Sequence, residues 1–144
     1  MIVVETSILI GRPVSEVFAY IADFENNPRW QSGMQEARFT SDPPLAVGST
    51  YVQVAGFLGR RIDSTFEVIE YEPDRLVKAT STSGSFPITF TRIVEPAEGG
   101  TLVRAIIEGD ASGLFKIAEP LMKRMVQRQV GGDYANLKGI LEGE

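Results

Sequence analysis

The side chains best suited to polar chemistry in this sequence are Arg92, Arg104, Asp63, Tyr51, Gln53 and Tyr71. Arg92 stands out because it shares the alternation of Phe86, Ile88 and Phe90 along one extended run. An arginine on an apolar face must find a partner, or an anionic or carbonyl-bearing ligand, unless the strand end carries it into water. An arginine beside a tyrosine can polarise a carbonyl and assist enolisation. No spacing in the sequence marks such a pair, so catalytic residues stay unassigned.

The chain contains neither histidine nor cysteine. Ser-His-Asp and Cys-His machinery is therefore excluded, and so are thiolate nucleophiles and disulfides. Zinc draws mainly on Cys and His, which leaves only all-oxygen metal sites, and no calcium-loop spacing such as D-x-D-x-D-G occurs. No metal and no cofactor are expected.

These side chains must be positioned by a run of strands framed by helices. Ile2–Ile10 reads as the first strand, with Ile2, Val4, Ile8 and Ile10 on one parity. Pro13 suits a helix start, and Val14, Val17, Phe18, Ile21 and Phe24 recur at helical spacing until Asn26-Asn27-Pro28 ends the helix. Trp30, the only tryptophan, follows as a structural anchor or a liner of a cavity mouth. Strands are expected over 35–40, 50–55, 61–71, 76–82, 86–94 and 101–108, separated by turn signals such as Asp42-Pro43-Pro44 and Glu72-Pro73-Asp74. A long helix is expected from about Leu114 to Leu141, with an apolar stripe of Leu114, Ala118, Leu121, Met122 and Met125. Pro120 kinks it or shifts its start. Beyond Gly131-Gly132 the apolar residues Tyr134, Leu137, Ile140 and Leu141 lie about a quarter-turn from that stripe, which predicts a bend or break.

Strands grouped between helices argue for α+β with an antiparallel sheet, and 144 residues suit one domain, 1–144. Four segments sharpen this. They are Pro13-Val14-Ser15-Glu16-Val17-Phe18, the stretch Asp23 to Trp30 with its Pro-x-Trp, the strand–turn–strand Phe66 to Leu76, and the ending Tyr134 to Glu142. In these the chain resembles the SRPBCC or START-like superfamily, the helix-grip fold, and within it the polyketide cyclase/dehydrase-like proteins. The resemblance implies a curved antiparallel sheet wrapped around a long C-terminal helix, with a short helix pair after strand 1. Members of that family bind lipids, sterols, polyketides or hormones; a few cyclise or dehydrate polyketides, and others regulate macromolecules.

Strand parity gives the physical case for a cavity. One face carries Phe86, Ile88, Phe90 and Arg92, another Ile62, Ser64, Phe66 and Val68, and a third Val103, Ala105 and Ile107. A curved sheet with one helix across it need not fill its interior, and the gap is a natural pocket of roughly 300–1,000 Å³. The alternative is that these residues pack as core. The expected ligand-binding set is Phe66, Val68, Phe86, Ile88, Phe90, Leu121, Met122 and Met125, with Arg92 as polar anchor, holding an apolar or amphipathic, lipid- or polyketide-like molecule. Rival readings are a cyclase or dehydratase, and a protein-interaction regulator with a filled core. Gly56-Phe57-Leu58-Gly59 puts two large apolar residues at a hairpin tip, as a gate, a homodimer contact, or a tip folded back on its own sheet.

The net charge of −5 gives no electrostatic footprint for nucleic acid. Residues 114–144 hold five basic and four acidic residues, and Lys116, Lys123, Arg124 and Arg128 read as a solvated outer face or a contact for an anionic surface. Met1 to Glu5 lacks a basic n-region, and no apolar run approaches the ~18 residues that span a membrane. The expectation is a cytoplasmic protein without stable membrane insertion.

Overall fold

The computed structural model describes residues 1–84, 87–110 and 117–143. Alternating apolar residues at the start of the chain form strand β1 (Ile2–Ile10), with Ile2, Val4 and Ile10 buried. Gly11 and Arg12 turn the chain into α1 (Val14–Ala22), which buries Val17, Phe18, Ile21 and Ala22. Pro13 is the N-cap of this helix rather than its first residue. After a 3-10 turn at Phe24–Asn26 comes α2 (Asn27–Trp30). Pro28, expected to terminate a helix, instead opens this one, where its missing N–H is one that no helix uses.

The chain then runs through β2 (Met34–Phe39), β3 (Thr50–Phe57), β4 (Arg60–Glu72), β5 (Leu76–Ser83), β6 (Ile88–Ala97) and β7 (Gly100–Gly109). These pair with β1 into one antiparallel sheet ordered β1-β7-β6-β5-β4-β3-β2. Every neighbour except β1–β7 is also a neighbour in sequence, so the sheet is a meander whose first strand docks against its last. Register shifts between Thr65 and Phe66 and between Val68 and Glu70 bulge β4, the longest strand, and bulges bend the strand that carries them.

The C-terminal helix α3 (Glu119–Leu141) lies across this curved sheet. Its start is set by Pro120, which sits in the first turn, so the expected helical residues Ile117 and Ala118 precede it, and Leu114 lies outside the described residues. The helix runs unbroken through Gly131-Gly132. The expected break came from reading the stripe on Leu121 and Met125. The observed inner stripe is Met122, Val126, Val130, Tyr134, Leu137 and Leu141, which keeps one face at steps of four and three. Leu121 is 49 % exposed, and Ile140 is exposed as well.

Polar ties clamp α3 in place. Gln127 Nε2 donates to the Glu5 carbonyl at 2.8 Å, and Lys138 Nζ to that of Leu9 at 2.8 Å. Arg12 Nε donates to the Leu141 carbonyl at 2.7 Å, closing the helix end onto the turn after β1. The main core (Val17, Phe18, Ile21, Phe24, Tyr51, Phe66, Val68, Val77 and Leu137 among others) fills one end of the space between sheet and helices. A smaller cluster of Ile2, Val4 and Met122, with Phe57, Val126 and Val130 packed on it, closes part of the other.

Candidate functional site

Between these two clusters the interior is not filled. A cavity of about 230 Å³ opens there. The sheet supplies its wall largely by alternation: Gln53, Ala55 and Phe57 from β3 with Gly56 between them, Ile62, Ser64 and Phe66 from β4, Ile88, Phe90 and Arg92 from β6. Cross-strand register sets these side by side, with Ala55 opposite Ile62, Gln53 opposite Ser64, and Phe90 opposite Ile107. The helix face of Met122, Val126, Val130, Asp133 and Tyr134 closes the roof, and Asn27, Gln31 and Ser32 from α2 and its exit close one end.

Five of the expected ligand-binding residues, Phe66, Ile88, Phe90, Arg92 and Met122, line this cavity. Val68 does not: it is fully buried two residues past Phe66, where β4 has passed into the solid core. Leu121 and Met125 do not either, because the helix is rotated so that Met122 and Val126 face inward. Phe86 lies outside the described residues. Of the other polar candidates, Gln53 lines the cavity and Tyr51 is buried behind Phe66, their rings stacked at 5.1 Å. Asp63 is exposed and pairs with Arg61, and Arg104 pairs with Glu95 on the outer face. Phe57 is half-buried and packs back against the cluster of Ile2, Val4 and Met122, while Leu58 beside it is exposed.

Arg92 marks the closed end. It is 2 % exposed. Its Nη1 donates to the Ile21 carbonyl at 2.8 Å, one of the carbonyls that the end of α1 leaves free, and to Asn27 Oδ1 at 3.1 Å. The guanidinium lies 4.8 Å from the Phe90 ring centre, 4.9 Å from Trp30 and 5.6 Å from Phe24, a cage that favours a cation. Trp30 is a buried anchor rather than a cavity liner: its ring meets Tyr134 edge-on at 4.8 Å, and its carbonyl accepts from Asn136 at 3.4 Å.

Tyr134 and Asp133 are the residues that sequence reasoning missed. Tyr134 lines the cavity together with Arg92; burial raises its pKa above the usual phenol value, against the opposing pull of the arginine. Asp133 accepts from the Ser32 backbone N–H at 2.9 Å and from Ser32 Oγ at 2.8 Å. Burial raises its carboxyl pKa in spite of those bonds. The signal was the spacing Met122-Val126-Gln129-Val130-Asp133-Tyr134, a helical face obscured by its polar members.

A second hollow of about 560 Å³ lies between α1, the loop before β3 and the β4–β5 turn. Asp23, Glu25, Asp42 and Asp74, all exposed, rim it. Such a rim repels anions and offers an apolar molecule little burial, so the inner cavity is the better candidate. Among the described residues no cluster of acidic side chains is arranged to hold a metal ion, and no helix is long and apolar enough to cross a membrane.

Fold and site together define a helix-grip protein with an apolar internal cavity closed at one end by an arginine. The chain belongs to the family described as polyketide cyclase / dehydrase and lipid transport, whose model matches residues 1–142. Among solved structures it is similar to a START superfamily protein from Mycobacterium smegmatis, at a TM-score of 0.81 and 13 % identity over 97 % of each chain. A protein from Thermus thermophilus matches at 0.79 and 17 % identity, over 95 % of this chain and 94 % of that one. The ZhuI aromatase/cyclase from Streptomyces sp. R1128 matches at 0.74 and 11 % identity, over 97 % and 93 %. At these identities the likeness is one of fold. No curated protein sequence matches the chain.

Proposed function

We propose that this protein binds an apolar or amphipathic small molecule, lipid- or polyketide-like, in the cavity between sheet and α3. The observation that carries this is the cavity itself: an unfilled, mostly apolar interior whose closed end holds a buried cation. Folding normally closes such a space, because each unfilled volume forfeits packing contacts. Affinity would come from apolar burial, with the polar groups at the Arg92 end fixing orientation. Native mass spectrometry of freshly purified protein, followed by organic extraction, tests this. A co-purifying apolar molecule, or saturable thermal stabilisation by members of a lipid and polyketide panel, is expected. Empty protein that ignores the whole panel would overturn it.

One observation favours a cyclase or dehydratase as a second reading. Asp133, a carboxyl group held above its ordinary pKa, shares the cavity with Tyr134 and Arg92. A carboxylate that removes a proton next to a carbonyl, opposite donors that stabilise the resulting enolate oxygen, is the minimum for aldol cyclisation or dehydration. On this reading Asp133→Asn, which keeps an oxygen for the two Ser32 donors, abolishes turnover of a poly-β-keto substrate while ligand binding persists. Unchanged turnover removes Asp133 from that role.

A further inference from the structure

Arg92 is a charge the fold does not neutralise. Guanidinium keeps its proton in any protein environment, so burial cannot switch the charge off. Among the described residues Arg92 enters no salt bridge. Its two acceptors, the Ile21 carbonyl and Asn27 Oδ1, are neutral, and both bind Nη1. Its Nε–H is buried without a partner. The carboxylates of the lining are Asp133 and Asp110. Asp133 is committed to Ser32 and forms no salt bridge with Arg92. Asp110 is exposed beyond the end of β7, past Gly109, which pairs with Ile88 at the start of β6, four residues before Arg92.

The two acceptors that Arg92 does have are both engaged on Nη1, which leaves the rest of the guanidinium to other partners. Tyr134 lines the same cavity as Arg92, and its hydroxyl can donate as well as accept. A ligand ammonium would bring only donors to this end, and a hydroxyl, though it can accept, brings no charge to set against the guanidinium. A carboxylate brings only acceptors, and its two oxygens match the arginine fork. The rest of the wall is mainly apolar, with Phe66, Phe90, Ile88, Ile107, Met122 and Val126 facing a tail and Gln53, Ser64 and Gln129 as its polar interruptions.

We propose that the natural occupant of this cavity is a monoanion, an apolar body ending in one carboxylate seated on Arg92 and Tyr134. This rests on the small-molecule reading above and narrows it to one chemical class. At about 230 Å³ the cavity falls below the usual range for drug-sized ligands, so a medium-length chain is the suitable probe.

The test compares decanoate, methyl decanoate and 1-decanol by calorimetric titration of the intact protein at neutral pH, below their aggregation limits. Decanoate is expected to bind about tenfold or more tightly than the other two. Arg92→Met should bring the three to within roughly twofold of each other. Should that variant fail to fold, Tyr134→Phe keeps the ring against Trp30, removes only the hydroxyl, and should weaken decanoate several-fold while leaving decanol unchanged. A genuine buried pair is little screened, so the preference should persist at about 0.5 M salt, whereas adsorption to the exposed lysines and arginines of α3 would vanish there. Equal binding of all three probes by the unaltered protein would overturn the carboxylate assignment and leave the cavity reading standing. A decanoate preference that survives both variants would also overturn it. Failure of every probe, with the protein empty on extraction, would overturn the cavity reading itself.

Discussion

Arg92 joins structure to site, because the Nη1 that caps α1 and holds Asn27 belongs to the same planar group whose Nε lacks a partner. Removing it should therefore cost stability as well as ligand preference. Arg92→Met leaves the Ile21 carbonyl and Asn27 Oδ1 without their donor, and a buried acceptor left unpaired costs about 1–3 kcal/mol. Methionine regains part of this by contact with Phe24, Trp30 and Phe90, and removal of a buried charge that no carboxylate offsets regains more. The expected net loss is about 1–2 kcal/mol in urea unfolding. Unchanged or increased stability would show that the corner between α1 and α2 stands without the guanidinium. Parity along β6 was enough to place Arg92 with Ile88 and Phe90, since alternation is a local property of an extended chain. Tyr134 and Asn27 were not legible, because their nearness to Arg92 depends on how α2 and α3 dock, which no local pattern encodes.

Among the elements, every strand was placed and most ends fell within a residue or two, because Gly, Pro and Asp turn signals bracket alternating runs; β6 is the exception, running on through Pro96 to Ala97. The helices were read less well. Proline at 28 and at 120 opens a helix in both cases, a role that the sequence distinguishes from termination only through the residues downstream of it. The two glycines in α3 misled for a related reason. Gly131 and Gly132 look like a break, yet the helix is continuous there, and a Cβ built at either position meets nothing within 4 Å. Glycine inside a helix is less favourable than alanine by roughly 0.5–1 kcal/mol, so the double variant Gly131→Ala/Gly132→Ala should be about 1–2 kcal/mol more stable. Thermal unfolding checks this, and a lowered midpoint would mean that the helix is straighter in this structure than in solution. The same variant probes motion. If ligand enters by flexing the roof of the cavity at this point, the association rate for decanoate falls in the stiffened helix while its equilibrium affinity changes little.

At the scale of the whole molecule, the aromatic core sets the alkaline limit of stability. Tyr51 and Tyr134 both have pKa values raised above the usual phenol value of 10.0, with burial as the main cause and the nearby Arg92 charge opposing it. Below about pH 10 each phenol is protonated whether the chain is folded or not, and neither contributes any pH dependence. Above it the unfolded chain loses these protons while the folded one keeps them. The folded state then binds more protons than the unfolded, so stability falls as pH rises, by about 1.4 kcal/mol per pH unit for each tyrosine. The Tyr51 hydroxyl is buried without a protein partner, so Tyr51→Phe removes one of the two terms with little disturbance to the rings of Phe24 and Phe66 that enclose it. That variant should be at least as stable as the parent at pH 7, and its stability should decline less steeply between about pH 10 and 11, by roughly 1.4 kcal/mol per unit. Parent and variant differ only in this hydroxyl, so the difference between the two urea-unfolding series isolates the tyrosine. Parallel declines would show that Tyr51 ionises inside the folded protein, and with it that water or a cation reaches the ring stack behind the cavity wall.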